Sequence, residues 1–120
     1  MSYEKNYLEW EKDPISFWQE KAKKISWIKP WKKVLLEKNK SEVEWFHGGT
    51  LNTCYNCLDR HVERGNGYKN AVIYDSPVSN TKKKITYNEL LASVISLASS
   101  LDSIGAKKGD TVIIYMPMIP

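Results

Sequence analysis

Residues 47–61 hold the densest set of side chains able to do chemistry: Cys54-Tyr55-Asn56-Cys57, His61 downstream and His47 upstream. On a continuous helix, positions 54, 57 and 61 share a face, and two thiolates with an imidazole are zinc ligands. Structural zinc sites, however, usually pair ligands from two separate loops, and His47 would have to fold back across Gly48-Gly49. A packed helix face explains the same residues, with Cys54, Leu58 and His61 or Val62 as the buried stripe and cysteine acting as a small hydrophobe. A C-x-x-C at a helix start is also a redox pattern that lowers the first thiol's pKa. No strand directly precedes this one, as thioredoxin-like folds require. The expectation is a structural helix that holds no metal.

The other candidates are weaker. Phosphate binding needs a glycine-rich turn that delivers backbone N–H groups into a helix start. Gly65-Asn66-Gly67 is too short and precedes a strand, so it reads as a helix-ending turn. Gly48-Gly49 lacks the Lys and Ser/Thr of a P-loop. Asp59-Arg60-His61 resembles a catalytic trio only on paper, because helical neighbours point about 100° apart. Solvated Asp59 and Arg60 flanking a packed His61 account for it. Asp75 and Asp110 fall in turns, where aspartate satisfies local backbone groups.

The elements that position these residues can be read from caps and periodicity. Ser2 caps a helix over Tyr3–Lys12. Asp13-Pro14 restarts a helix, with Asp at the cap and Pro at the first helical position, running to about Lys24 with Ile15, Trp18, Ala22 and Ile25 on one face. Pro30 breaks the chain between Trp27 and Trp31. Val34–Leu36 and Val43–Phe46 are predicted strands around a turn at Glu37–Ser41. A third helix is expected from Asn52 or Thr53 to Arg64, ended by Gly65 in the left-handed region. Ala71–Tyr74 and Lys84–Thr86 should pair as strands, with Asp75-Ser76-Pro77 turning the first. Thr86-Tyr87-Asn88-Glu89 is a capping box. It opens a helix whose stripe is Leu90, Leu91, Val94, Leu97, Ala98, Leu101 and Ile104, stopped by Gly105. Thr111–Tyr115 then reads as a continuous apolar strand buried on both faces. Strand, helix and strand at these lengths predict a right-handed parallel unit that needs further strands.

Composition restricts the function class. With 120 residues, 42% hydrophobic, the chain is one small domain's worth and should bury roughly 65% of its unfolded surface. No apolar run approaches the ~20 residues of a membrane helix. No apolar stretch follows the first basic residues as in a secretory signal, and Glu4, Glu9 and Glu11 come too early for a transit peptide. The expected compartment is the cytoplasm, with no membrane partner. The net charge of +4 comes from lysines interleaved with acids, Arg60 and Arg64 being the only arginines. That pattern solvates a surface and argues against nucleic acid. All five tryptophans (Trp10, Trp18, Trp27, Trp31, Trp45) precede residue 50. So aromatic a strip, with little core of its own, is expected to wrap around a larger body.

Whole strings then become informative. Asp13-Pro14-Ile15-Ser16-Phe17-Trp18, Trp45-Phe46-His47-Gly48-Gly49-Thr50-Leu51-Asn52 and Tyr55-Asn56-Cys57-Leu58-Asp59-Arg60-His61-Val62 resemble the amino-terminal region of AMP-forming short-chain acyl-CoA synthetases, the propionyl-CoA and acetyl-CoA synthetase family. Ile85-Thr86-Tyr87-Asn88-Glu89-Leu90-Leu91 and the run from Lys108 to Pro120 do so too, so the resemblance covers nearly the whole chain in order. Ile73-Tyr74-Asp75-Ser76-Pro77-Val78-Ser79-Asn80 resembles the propionate-activating branch; Ser79 stands where threonine is common, and Cys54 lies outside the family's string.

The resemblance implies an α/β fold: an amino-terminal wrapping segment over 1–60, then over 61–120 the first strand-helix-strand elements of the adenylate-forming large domain, an incomplete sheet. It implies a parent enzyme in which a carboxylate attacks the α-phosphate of Mg-ATP and coenzyme A then displaces AMP. The family's phosphate loop, adenine and carboxylate segments and catalytic lysine have no matching position here. No catalytic, cofactor-binding or metal residue is carried over, and the chain alone is expected to bind none of ATP, Mg or CoA. Its implied partners are the remainder of its own large domain and, in the parent, a small carboxylate. The rival from another class is a free-standing, non-enzymatic module that binds a protein through its aromatic strip.

Overall fold

A computed structural model describes residues 2–117 and 119. Met118 and Pro120, which close the last quoted string, lie outside the described residues, as does Met1. The chain divides into two compact units, residues 1–56 and 57–120.

In the first unit, α1 (Tyr3–Lys12) begins where Ser2 Oγ accepts the Lys5 N–H, at 3.3 Å. In α2 (Pro14–Ala22), Asp13 Oδ1 accepts from Ser16 N at 3.0 Å and Pro14 fills the first turn. Both caps fall where the sequence put them, because each is a side-chain-to-backbone bond made within three residues. β1 (Lys33–Asn39) and β2 (Glu42–His47) form an antiparallel hairpin. The expected turn at Glu37–Ser41 shrinks to Lys40-Ser41, since Glu37 pairs with Val43 and Asn39 with Glu42. Trp27, Trp31 and Phe46 pack mutually, with ring centroids 5.0–5.5 Å apart, and Trp27 Nε1 donates to the Ala22 carbonyl at 2.9 Å. Phe46 carries a positive φ of 54°, which costs roughly 1–2 kcal/mol for a bulky residue and is held by its ring contacts. Gly49 must be glycine, because a Cβ there would meet the Trp27 ring at 2.7 Å and the Phe46 carbonyl oxygen at 3.0 Å.

α3 (Thr53–Cys57) closes the first unit and α4 (Asp59–His61) opens the second, followed by a wide π-helical turn over Val62–Asn66. The single helix expected from 52 to 64 is therefore broken. Leu58, at φ −132° and ψ −72°, leaves the helical region between α3 and α4 while its side chain is buried. Gly65 ends the turn at φ 78°, as expected of a left-handed glycine.

β3 (Asn70–Ser76) and β4 (Thr81–Thr86) pair antiparallel, so Asp75 and Ser76 are strand residues facing Lys82 and Thr81 rather than turn residues. α5 (Tyr87–Ser103) starts with the capping box: Glu89 N donates to Thr86 Oγ1 at 3.3 Å, and Thr86 N donates to Glu89 Oε2 at 2.8 Å. Ile104 and then Gly105, at φ 88°, end it. Residues 111–115 form no strand; Ile113, Ile114 and Tyr115 are 84%, 78% and 99% exposed. The parallel unit is thus absent among the described residues. A strand exists only through its neighbours' hydrogen bonds, and among the described residues of this unit the one sheet is the β3–β4 hairpin. Among the described residues no helix is long and apolar enough to cross a membrane.

The capping box makes a prediction. The Thr86 backbone and hydroxyl donate to the Glu89 carboxylate and hold its pKa below the usual carboxylate range. That stabilisation is complete above the ordinary carboxylate value and is lost as pH falls through the lowered one. A peptide of residues 84–106 should lose helicity by circular dichroism over that acid range. Thr86→Ala should weaken its helix by about 1 kcal/mol and flatten the pH dependence. Equal helicity in both peptides at every pH would refute the cap.

Candidate functional site

The sequence candidates do not converge. The helical spacing that would put positions 54, 57 and 61 on one face ends at Leu58. Cys54 and Cys57 are exposed, so the expected buried stripe of Cys54, Leu58 and His61 reduces to Leu58. His61, half-buried, lies against Tyr87 with ring centroids 5.1 Å apart. Asp59 and Arg60, just after the break at Leu58, are half-buried rather than solvated. Among the described residues, no group of three or more His, Cys, Asp or Glu side chains is placed to hold a metal ion.

His47 ends β2, where its Nδ1 lies 2.9 Å from Glu44 Oε1. Lys38 Nζ reaches both Glu42 Oε1 (3.1 Å) and Glu44 Oε2 (3.3 Å) across the hairpin. The hydrogen bond from His47, then that from Lys38, holds the Glu44 carboxyl below its usual range; Glu42 and Glu44 together raise Lys38. This is a solvent-facing charge ladder across the hairpin, of a kind that solvent and salt screen.

Both glycine turns make local bonds. The Gly49 N–H is spent on the Phe46 carbonyl at 3.0 Å. The Gly67 carbonyl accepts from Asn88 N at 2.9 Å, and the Asn88 side chain fills the space above Gly67. Asp110 Oδ2 accepts from Lys107 N at 2.7 Å, the local turn role expected of it, while Asp75 pairs with Lys82 at 3.0 Å across the strands.

Two features escape a reading by spacing. The first is Asn56, 7% exposed, whose side chain acts as a piece of backbone. Its Oδ1 accepts from Ser26 N (2.8 Å), and its Nδ2 donates to the carbonyls of Ser26 and Asn52 (both 2.9 Å). It ties α3 to the loop after α2, satisfying buried groups that would otherwise each cost about 1–3 kcal/mol. The second is an apolar groove of about 280 Å³ lined by Trp18, Lys21, Ala22, Ile25, Trp27, Phe46 and Leu51. Its walls are aromatic and aliphatic, with the Lys21 ammonium drawn over the Phe17 ring at 4.7 Å. Such a surface suits an apolar neighbour; Lys21 is the one ionisable side chain in its lining. Purified chain should therefore carry no stoichiometric zinc by elemental analysis. A content near one zinc per chain, lost in Cys57→Ser, would overturn this arrangement.

Known proteins share this layout. The family described as acetyl-coenzyme A synthetase N-terminus matches residues 3–57, and the family described as AMP-binding enzyme matches residues 58–120. Acyl-CoA synthetase short-chain family member 3, mitochondrial, of Bos taurus is 56% identical over 108 residues, covering 90% of this chain and 16% of the relative. Acetyl-coenzyme A synthetase of Shewanella frigidimarina is 45% identical over 121 residues, covering 98% of this chain and 18% of the relative. The solved acetoacetyl-CoA synthetase from Streptomyces lividans superposes with a TM-score of 0.76 at 28% identity, over 93% of this chain and 17% of that one. The chain thus spans less than a fifth of the length of these relatives.

Proposed function

The chain belongs to the AMP-binding enzymes, and from that premise we propose that it is the non-catalytic amino-terminal part of a short-chain acyl-CoA synthetase that activates propionate with ATP through an acyl-adenylate and passes it to coenzyme A. The α/β fold is that of an adenylate-forming synthetase. The observation that carries the reading is the unbroken, in-order match from residue 3 to residue 120 to the two families. Propionate is supported by the string Ile73–Asn80, which resembles the propionate-activating branch. Acetate is the second reading, on the 45% identity to an acetyl-coenzyme A synthetase.

None of residues 1–120 is proposed as a catalytic, cofactor or metal residue. Adenylation is positioning plus stabilisation of charge on the phosphates, and it needs converging cations and free N–H groups. We read the two glycine turns as poor phosphate cradles, since the Gly49 N–H bonds the Phe46 carbonyl and the Asn88 side chain fills the space above Gly67. The chain's part is to supply the aromatic groove and α5 as packing surfaces for the remainder of the large domain. For compartment we propose the cytoplasm; the mammalian relative is named mitochondrial, and co-fractionation of the tagged protein with mitochondria would overturn this.

The test is a pair of grafts in which residues 1–120 replace the matching stretch of the Bos taurus and the Shewanella relatives. If these residues only support the fold, the propionate-to-acetate ratio of kcat/KM should follow the remainder of each enzyme and move by less than about threefold, where one methylene in a pocket is worth about 10–200-fold. A ratio that follows residues 1–120, shifting tenfold or more, would place acyl specificity inside this chain and refute the supporting role.

A further inference from the structure

We draw no further inference here: the strongest candidate, the apolar groove of the first unit between α2 and the Trp27–Phe46 aromatic cluster, is an unpartnered apolar face and nothing in the structure shows what covers it.

Discussion

Heated alone, the 120-residue chain should show no cooperative transition and should bind a hydrophobic dye before heating begins. A folded 13.9 kDa monomer exposes roughly 6,700 Å², whereas this chain exposes 10128 Å². Its buried apolar residues are Ala22, Val34 and Leu58, and no large side chain is fully buried among the described residues. By contrast Trp18, Ile95, Leu97, Ile104, Val112, Ile113 and Ile114 are each more than a third exposed. Apolar area left in water contributes nothing at ~25 cal/mol per Å², while every ordered residue still costs about 1–2 kcal/mol of backbone entropy. The balance favours a loosely packed or self-associating state with its helices retained.

The same surfaces should become a core when the rest of the enzyme is present. Grafted into the Bos taurus relative, residues 1–120 should melt cooperatively with it if the remainder packs on α5 as proposed. Leu97, on the α5 stripe and 62% exposed here, is the probe. Leu97→Asp should change little in the isolated chain. In the graft it buries an unpaired carboxylate, a loss of several kcal/mol that should abolish the cooperative melt. A sharp, monomeric, two-state melt of residues 1–120 alone would contradict this and favour the free-standing module.

What the sequence made legible follows the range of each interaction. The caps of α1, α2 and α5 were readable because Ser2, Asp13 and Thr86 satisfy N–H groups three residues on, so propensity and structure are one statement. Both hairpins were readable as pairs of short strands, but their lengths were not. Pairing carries Glu37, Asn39, Asp75 and Ser76 into strands despite their turn-forming residue types, since a cross-strand partner outweighs local preference. The break at Leu58 had no local signal: residues 53–64 are compatible with one helix, and the Asn56 clasp onto Ser26, thirty residues away, is a tertiary bond. Thr111–Tyr115 failed for the converse reason, being a strand pattern whose hydrogen-bond partners are not among the described residues. As for the site, the zinc and redox motifs were visible and were weighed against one packed helix, yet that helix proved to be two and leaves Cys54 and Cys57 exposed.

The claim that residues 1–120 support a synthetase without supplying its chemistry is tested most directly by propionate-dependent ATP–pyrophosphate exchange. Adenylation requires groups that stabilise phosphate charge at the reacting centre, and losing even one such donor costs about 10²–10³-fold. The isolated chain, none of whose residues is proposed as catalytic, should show no exchange above background at any propionate concentration. The Bos taurus graft carrying the same residues should exchange at a rate within about tenfold of its parent, the margin allowed for a small misfit of supporting elements. Exchange by residues 1–120 alone, abolished when propionate is left out, would contradict the account by showing that this chain holds an active site.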